Sequence, residues 1–158
     1  MNRSKTTGDG RKIVVSNRRA RHEYDVEETV EAGLVLTGTE IKSVRAGHVQ
    51  LADAHARIQD GEAWLHGMHI APYEQGNRAN VEQARARKLL LHRREIDRLL
   101  GKAQERGLTL VPLSVYLKNG FAKVELAIAK GRKLYDKRNA IAAREARRDQ
   151  ERALSERR

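Results

Sequence analysis

The sequence contains no cysteine, and this absence excludes several kinds of chemistry. Without thiols the protein has no disulfide framework, no thiolate metal site and no cysteine nucleophile. Disulfides form and persist in oxidising compartments, so a chain without cysteine suits a reducing one. We therefore expect a cytoplasmic protein.

Long apolar segments are also missing. Residues 1–10 are polar, so they lack the apolar core of a signal peptide and are predicted to form a disordered arm. No apolar run approaches the roughly 18 residues that a membrane-spanning helix requires. The sequence therefore predicts no association with a membrane.

Groupings typical of a catalytic or metal site are absent as well. His66 and His69 are three residues apart, which puts them on opposite faces of a predicted strand, and no carboxylate stands at ligand spacing beside them. His22 and Glu23, a candidate acid–base pair, would point apart on a strand for the same reason. We expect no metal, no cofactor and no catalytic residue.

Positive charge, in contrast, is abundant. The chain has 32 Lys and Arg against 21 Asp and Glu, a net charge of +11, which favours a polyanionic partner such as nucleic acid. Ser16 or Asn17 can cap a helical turn that carries Arg18, Arg19 and Arg21. Such a group is either a phosphate-binding site or a solvated basic turn, and residue type alone does not separate the two. With aromatic residues at 4%, few rings are available for base stacking.

The clearest structural signals lie between residues 24 and 47. Thr37 and Glu40 have the spacing of a capping box that starts a short helix, and Gly47 ends it as a left-handed cap. The helix turns Ile41 and Val44 towards the core. A strand precedes it, and alternation predicts one common face, interrupted only by Glu28: Tyr24, Val26, Val30, Ala32, Leu34 and Leu36.

The rest of the chain alternates between predicted strands, turns and one long helix. A short strand covers residues 13–15, a hairpin over 53–70 turns at Asp60-Gly61, and a surface loop follows over 71–87. A helix over 92–107 has the apolar stripe Ile96, Leu99, Leu100 and Ala103, and Gly107 ends it. A second hairpin over 108–130 turns at Asn119-Gly120, and its first strand places five residues on one face: Thr109, Val111, Leu113, Val115 and Leu117.

These elements predict a mainly β fold: a small closed antiparallel β-barrel of the oligonucleotide-binding type over residues 11–130, with flanking helices. Residues 131–158 form a basic tail with two helical i, i+4 ion pairs, Arg147–Glu151 and Arg152–Glu156. The tail has too few large apolar residues to pack on its own. We expect it to be disordered alone and helical when bound to a polyanion.

Six segments, spread in order over nearly the whole chain, resemble the small protein B family, the SsrA-binding proteins that partner transfer-messenger RNA in bacterial ribosome rescue. They are residues 17–24 (NRRARHEY), 31–47 (EAGLVLTGTEIKSVRAG), 60–65 (DGEAWL), 87–96 (RKLLLHRREI), 129–133 (AKGRK) and 135–138 (YDKR). Matches of this number and order indicate membership of the family.

The resemblance implies that one face of a closed barrel grips the elbow of the tRNA-like domain of transfer-messenger RNA. Carried over residue by residue, that face comprises Asn17, Arg18, Arg19, Glu31, Lys88, Leu91, Lys118 and Lys123. The cations would contact phosphates, Asn17 and Glu31 would read sugar or base edges, and Leu91 would pack on an unstacked base.

The resemblance further implies that the tail enters the decoding centre of the small subunit of a stalled ribosome, beside its rRNA and along the empty mRNA path. The matching tail residues are Gly131, Lys133, Tyr135, Asp136, Lys137 and Arg138. Elongation factor Tu would join through the charged RNA, and we expect the protein itself to be a monomer. Ala146 and Gln150 depart from the family's pattern and leave the packing of the tail helix open.

Two other functional classes fit the composition. A structural ribosomal or ribosome-associated rRNA-binding protein would also combine a barrel with a basic extension. A small RNA-processing nuclease would share the charge but would have to cleave RNA with divalent ions. A structural ribosomal protein would be present at one copy per ribosome, whereas an adaptor would be substoichiometric and enriched on stalled ribosomes. A nuclease would cleave RNA during incubation with divalent ions, whereas an adaptor would leave it intact.

Overall fold

The computed structural model describes residues 10–73, 82–105, 107–131 and 144–155. In chain order the elements are β1 (Arg11–Ser16), α1 (Arg18–Glu23), β2 (Tyr24–Leu34), α2 (Gly38–Arg45), β3 (Val49–Gln50), β4 (His55–Gln59), β5 (Glu62–His66), β6 (His69–Ile70), β7 (Arg87–Leu90), α3 (Arg93–Ala103), β8 (Leu108–Lys118) and β9 (Phe121–Gly131). Residues 144–155 are also helical, and all of them are exposed. None of the described helices is long and apolar enough to cross a membrane.

The two predicted hairpin turns are confirmed by their backbone angles. Asp60 and Gly61 have φ of 52° and 76°, and Asn119 and Gly120 have φ of 52° and 82°. Two consecutive residues with positive φ form the tight turn whose twist matches that of paired strands. These turns join β4 to β5 and β8 to β9.

The predicted start of α2 is also confirmed. The Thr37 hydroxyl accepts a hydrogen bond from the Glu40 backbone, and the Glu40 carboxylate accepts one from the Thr37 backbone. Val44 is fully buried, and Gly47 follows the helix with φ of 81°. Local signals in the sequence were sufficient to predict both ends of α2, because each cap involves residues within four positions of each other.

The fold is mainly β with flanking helices, as expected. Seven strands form an antiparallel sheet in the order β1-β8-β4-β5-β7-β2-β9, and β9 also pairs with β8. The ladders therefore run from β8 through β4, β5, β7, β2 and β9 and return to β8. The two-residue strands β3 and β6 pair separately, so the predicted hairpin over residues 53–70 is in fact the β4–β5 hairpin followed by a second pairing.

One face of the sheet, here called the core face, holds the main apolar cluster. The cluster takes side chains from most strands and from α2 and α3, among them Ala32, Leu65, Leu89, Leu99, Leu110, Val115, Val124 and Leu126. A smaller cluster on the opposite, outer face consists of Ala20, Val111, Leu113, Ala127 and Ala129, with Tyr24 packed beside it. The helix α1 therefore covers one end of the outer face of β8 and β9.

The predicted common face for alternate residues of β8 is wrong. Val111 and Leu113 belong to the outer cluster, whereas Val115 belongs to the core cluster. The register between β8 and β9 shifts between Pro112 and Ser114, which marks a β-bulge. A bulge inserts one extra residue and so reverses the alternation beyond it.

The predicted common face of β2 is wrong in the first part of the strand, because β2 also contains a β-bulge. The pairing of β2 with β9 shifts between Val26 and Glu28. Val30, Ala32 and Leu34 face the core beyond the shift, but Val26 before it is 41% exposed. Strict alternation over the whole strand predicts the same face for Val26 as for Val30 and Ala32, which the structure contradicts.

The helix α3 is shorter than predicted, and the strand before it begins at the last residue of the predicted loop. The helix ends at Ala103, although Gly107 does have the expected positive φ of 83°. Ile96 and Leu99 are buried, but Leu100 is 39% exposed and Ala103 is exposed, so the apolar stripe is narrower than expected. The strand β7 already begins at Arg87, within the predicted loop, of which residues 74–81 lie outside the described part of the chain.

Candidate nucleic-acid interface

A carboxylate surrounded by cations lies on the outer face of β2, β8 and β1. The hydroxyl of Tyr116 donates a hydrogen bond to Glu31. Arg11 Nη2 lies 3.4 Å and Lys118 Nζ lies 3.6 Å from the same carboxylate oxygen, Glu31 Oε2. The Arg11 guanidinium also stands over the Tyr116 ring, 4.7 Å from its centroid. We call Glu31, Tyr116, Arg11, Lys118 and the adjacent Lys123 the Glu31 cluster.

The strand register brings these residues together from distant parts of the chain. Arg11 pairs with Lys118 across β1 and β8, and Tyr116 pairs with Lys123 across β8 and β9. Directly paired residues project from the same face. The β8 bulge is essential to this arrangement, because without the extra residue Tyr116 and Lys118 would point to the core face.

The electrostatics of the cluster keep Glu31 ionised. The hydrogen bond from Tyr116 lowers the pKa of Glu31 most, and the charges of Lys118, Arg11 and Lys123 lower it further against the opposing effect of burial. Burial and the bond to Glu31 raise the pKa of Tyr116, so its hydroxyl remains a donor. The result is a cationic surface with one fixed hydrogen-bond acceptor in it.

The outer face continues from β2 onto β7. Lys88 projects there, and its Nζ lies 3.1 Å from Glu62 Oε1. Leu90 is 55% exposed opposite Gly33, where an added Cβ would come within 3.1 Å of the Leu90 Cβ. Leu91, the residue singled out from the sequence, instead packs partly against the core cluster. The exposed apolar side chain on this part of the surface is therefore Leu90.

At the other end of the outer face, Asn17 holds α1 in position. It is only 4% exposed, its side-chain oxygen accepts from the Ala20 backbone at 3.1 Å, and its amide donates to the carbonyls of Leu51 at 3.2 Å and Pro112 at 2.9 Å. Both hydrogens of the amide are thus used within the protein. The structure places Asn17 beneath the surface rather than on it.

The two arginines that follow Asn17 are exposed on α1. Arg19 pairs with Glu23 at 3.0 Å and with Asp53 at 3.3 Å, and the Glu23 hydrogen bond and charge raise the pKa of its guanidinium. Because α1 covers Val111 and Leu113, it lies next to the Glu31 cluster along β8. The structure therefore joins the two groups into one outer-face surface.

A buried ion cluster fixes the start of β7 and hence the position of Lys88 and Leu90. Arg87 is fully buried, and its guanidinium donates to Glu40 Oε2 at 2.8 Å, to the Met68 carbonyl at 2.6 Å and to the Gln83 carbonyl at 2.7 Å. Burial alone would raise the pKa of Glu40, but hydrogen bonds from Arg85, Thr37 and Arg87 lower it overall. Arg87 is thus a structural residue and not part of the cationic surface.

Sequence reasoning missed Arg11, Tyr116 and Leu90. Arg11 precedes an apolar run and Tyr116 lies among apolar residues, so neither carried a local signal of its own. Once β8 is known to bulge, Tyr116 and Lys118 alternate with Val115 and Leu117, which assigns them to the outer face.

The tail residues expected at the ribosome fall largely outside the described part of the chain. Gly131 ends β9, where it pairs with Tyr24. Lys133, Tyr135, Asp136, Lys137 and Arg138 lie outside the described residues.

The histidines that were considered as metal ligands are separated. His66 lies on β5 and stacks on His55 with ring centroids 5.6 Å apart, whereas His69 lies on β6. Burial lowers the pKa of His66, and the neighbouring His55 and Arg57 lower it further. Among the described residues, no three His, Cys, Asp or Glu are grouped so as to hold a metal ion.

Comparisons with known proteins agree with one another. The family model "SmpB protein" matches residues 14–156. Proteins named SsrA-binding protein from Geobacillus thermodenitrificans, Desulforudis audaxviator and Moorella thermoacetica are 60%, 64% and 60% identical over 150, 142 and 147 residues. The matches cover 95%, 90% and 92% of this chain and 96%, 93% and 95% of those proteins.

A solved structure leads to the same family. A chain from a structure described as "tmRNA-SmpB: a journey to the center of the bacterial ribosome" is 55% identical to this one and superposes with a TM-score of 0.64. The superposition covers 74% of this chain and 82% of that chain.

Proposed function

The chain belongs to the SmpB protein family, and on that premise we propose which of its surfaces take up RNA and which act on the ribosome. The protein binds transfer-messenger RNA and delivers it to stalled ribosomes in trans-translation. Our proposal assigns the RNA to the outer-face surface and the ribosome to the basic tail. It contains no catalytic step, because the chain acts as an adaptor.

The observation that supports this most is the grouping of Lys118, Lys123 and Arg11 around one carboxylate. The cations contact phosphates of the tRNA-like domain at its elbow, which gives affinity and orientation. Glu31 accepts hydrogen bonds from base amino groups or sugar hydroxyls and repels misplaced phosphates. A purely cationic surface would bind any RNA. A fixed acceptor within that surface favours an RNA that places a hydrogen-bond donor, and not a phosphate, opposite Glu31.

The neighbouring residues extend the same interface. Arg18 and Arg19 contact phosphates from α1, and Asn17 acts by holding that helix in place. On β7, Lys88 adds a further cation. Leu90, which is exposed, packs on an unstacked base, and the next residue, Leu91, packs partly against the core cluster.

The chain divides into three functional parts in this proposal. Residues 11–130 form a closed barrel of the oligonucleotide-binding type. Of the N-terminal arm expected over residues 1–10, residues 1–9 lie outside the described part of the chain. The tail over 131–158 orders on ribosomal RNA in the decoding centre and mRNA path, with these residues nearest the decoding bases: Gly131, Lys133, Tyr135, Asp136, Lys137 and Arg138. The protein acts in the cytoplasm as a monomer and meets elongation factor Tu through the charged RNA.

Binding of a labelled tRNA-like domain, measured by fluorescence anisotropy against an unrelated folded RNA of equal length, tests the interface. Lys123→Ala should weaken binding about tenfold and reduce its salt dependence, because one phosphate contact is lost. Lys102→Ala removes the same charge from α3, away from the outer-face surface, and should bind like the wild type.

Translation of an mRNA without a stop codon tests the delivery step. Tagged peptide should appear only when both the protein and transfer-messenger RNA are present. Equal binding to both RNAs, together with one copy of the protein on every ribosome, would instead identify a structural ribosomal protein.

A further inference from the structure

The only phenylalanine of the chain is exposed at the tip of the β8–β9 hairpin. Phe121 is 70% exposed, the highest value among the large apolar residues that the structure describes. It directly follows the turn at Asn119 and Gly120, and an added Cβ at Gly120 would meet nothing within 4 Å. Because most of its surface is open to solvent, the Phe121 ring is accessible to a large planar ligand.

The strand register places Phe121 at the edge of the Glu31 cluster. Phe121 pairs directly with Lys118, which lies beside Glu31, and it precedes Lys123 by two residues on β9. Directly paired residues project from one face with Cβ atoms about 5 Å apart, and residues i and i+2 of a strand share that face about 7 Å apart. The buried Ala122 between them confirms that Phe121 points outward.

Most of the ring is open to solvent, and its two outward neighbours on the sheet, Lys118 and Lys123, are cations. A ring flanked by lysines is the combination with which proteins hold unpaired nucleotides: the ring stacks on the base, and the ammonium groups meet the adjoining phosphates. A protein partner that covered an apolar residue would not need the two cations beside it.

We propose that Phe121 is a base-stacking residue, on which an unpaired nucleotide of the bound RNA rests while Lys118 and Lys123 hold its flanking phosphates. This inference rests on the proposed function, since it concerns the same outer-face surface. It adds to that surface a residue that discriminates a splayed-out base from a continuous duplex.

The test compares substitutions that separate planarity from apolar character. Phe121→Ala and Phe121→Leu should each weaken binding of the tRNA-like domain by about five- to 100-fold, the usual effect of losing one stacked base. Phe121→Trp should retain wild-type affinity. The salt dependence should be unchanged in all three variants, in contrast to Lys123→Ala. Val26→Ala, an exposed apolar residue near the other end of β9, is the matched control and should bind normally.

A spectroscopic readout identifies the contact itself. Each unpaired base of the RNA is replaced in turn by 2-aminopurine, whose fluorescence is quenched by stacking. At least one position should be quenched by the wild type and not by Phe121→Leu, while the melting temperature of the variant stays within about 1 °C of wild type because the ring contributes little to the core.

Two results would overturn the inference: wild-type affinity in Phe121→Ala, or wild-type affinity in Phe121→Leu without any protein-dependent quenching. Failure of the proposed function would look different, because the wild-type protein itself would then fail to prefer the tRNA-like domain.

Discussion

At the scale of single residues, Glu31 holds a buried tyrosine hydroxyl and two cations while its own carboxylate stays partly accessible. Its side chain is 30% exposed, whereas Tyr116 is 1% exposed. Loss of the carboxylate therefore removes an acceptor from the interface and leaves a buried hydroxyl without its partner.

Glu31→Ala should lose both stability and RNA selectivity. The unsatisfied Tyr116 hydroxyl should cost about 1–3 kcal/mol of unfolding free energy. Glu31→Gln keeps an acceptor for the Tyr116 hydroxyl but loses the negative charge beside Arg11 and Lys118, so its stability at pH 7 should lie between that of wild type and that of Glu31→Ala. Urea denaturation and competition binding between the tRNA-like domain and unrelated RNA measure the two effects. Unchanged selectivity in both variants would make Glu31 a structural residue only.

The difference in unfolding free energy between wild type and Glu31→Gln should depend on pH. The hydrogen bond from Tyr116 and the nearby cations hold the folded pKa of Glu31 below its ordinary value. Ionisation of Glu31 therefore stabilises the protein above the unfolded pKa, and this contribution is lost as the pH falls through the folded pKa. The unfolding free energy of wild type should thus decline more steeply than that of Glu31→Gln when the pH is lowered from about 5 to about 3. Parallel declines in the two proteins would contradict the assignment.

Glu40 illustrates a residue with two structural tasks. It caps α2 and neutralises the buried Arg87. Glu40→Gln should destabilise the fold by about 3–5 kcal/mol, because it leaves a buried guanidinium without a counter-charge. Replacing both partners, Glu40→Met with Arg87→Met, should recover part of the loss. A loss below about 1 kcal/mol in urea denaturation of Glu40→Gln would show that the charge pair is not needed.

At the scale of elements, Asn17 joins α1 to β8. Asn17→Ala removes an N-cap and two hydrogen bonds to carbonyls, and it should destabilise the protein by about 2 kcal/mol and weaken RNA binding in parallel. Asn17→Ser keeps only the N-cap, so its stability and RNA affinity should lie between those of wild type and Asn17→Ala. Arg18→Ala should weaken RNA binding with no change in melting temperature. If Asn17→Ala lost affinity at full stability, Asn17 would be a direct RNA contact.

The β8 bulge is the element-scale feature on which the proposed interface depends. Before it, β8 turns Val111 and Leu113 towards α1; beyond it, the outward residues are Tyr116 and Lys118. One strand thereby supports a packed helix at one end of its outer face and a polar binding surface at the other. An uninterrupted strand of the same sequence would bury Lys118 in the core.

At the scale of the whole molecule, the proposed division between body and tail predicts separable functions. Truncation after Gly131 keeps all of β9 and should leave the melting temperature and RNA affinity unchanged, while tagging of stalled peptides is lost. Circular dichroism, anisotropy and the stop-codon-less translation assay measure the three quantities. Loss of RNA affinity on truncation would refute the division.

Within the tail, Tyr135→Ala should spare complex formation with transfer-messenger RNA and slow its accommodation on the ribosome, because a ring that stacks on a nucleotide is lost. Tyr135→Phe keeps the ring and serves as the control. Rapid-kinetic measurement of tag synthesis distinguishes the two, and wild-type kinetics in Tyr135→Ala would exclude a role for the residue.

Local signals in the sequence were enough for the two hairpin turns, the capping box of α2 and the buried face of the second half of β2. In each case the residues concerned lie within a few positions of one another, so backbone propensity and side-chain period act without help from distant strands. Glu31, Lys118 and Lys123 were also identified before any fold was known, but only through resemblance to a family.

Only the tertiary structure decided which residues of β8 lie on its outer face, which leucine of β7 is exposed and which arginine is buried. Bulge positions follow from the pairing of strands far apart in the chain, and they invert the period on which sequence reasoning relies. Whether an arginine lies in solvent or in the core depends on a buried carboxylate and carbonyls that other segments bring to it, as Glu40, Met68 and Gln83 do for Arg87.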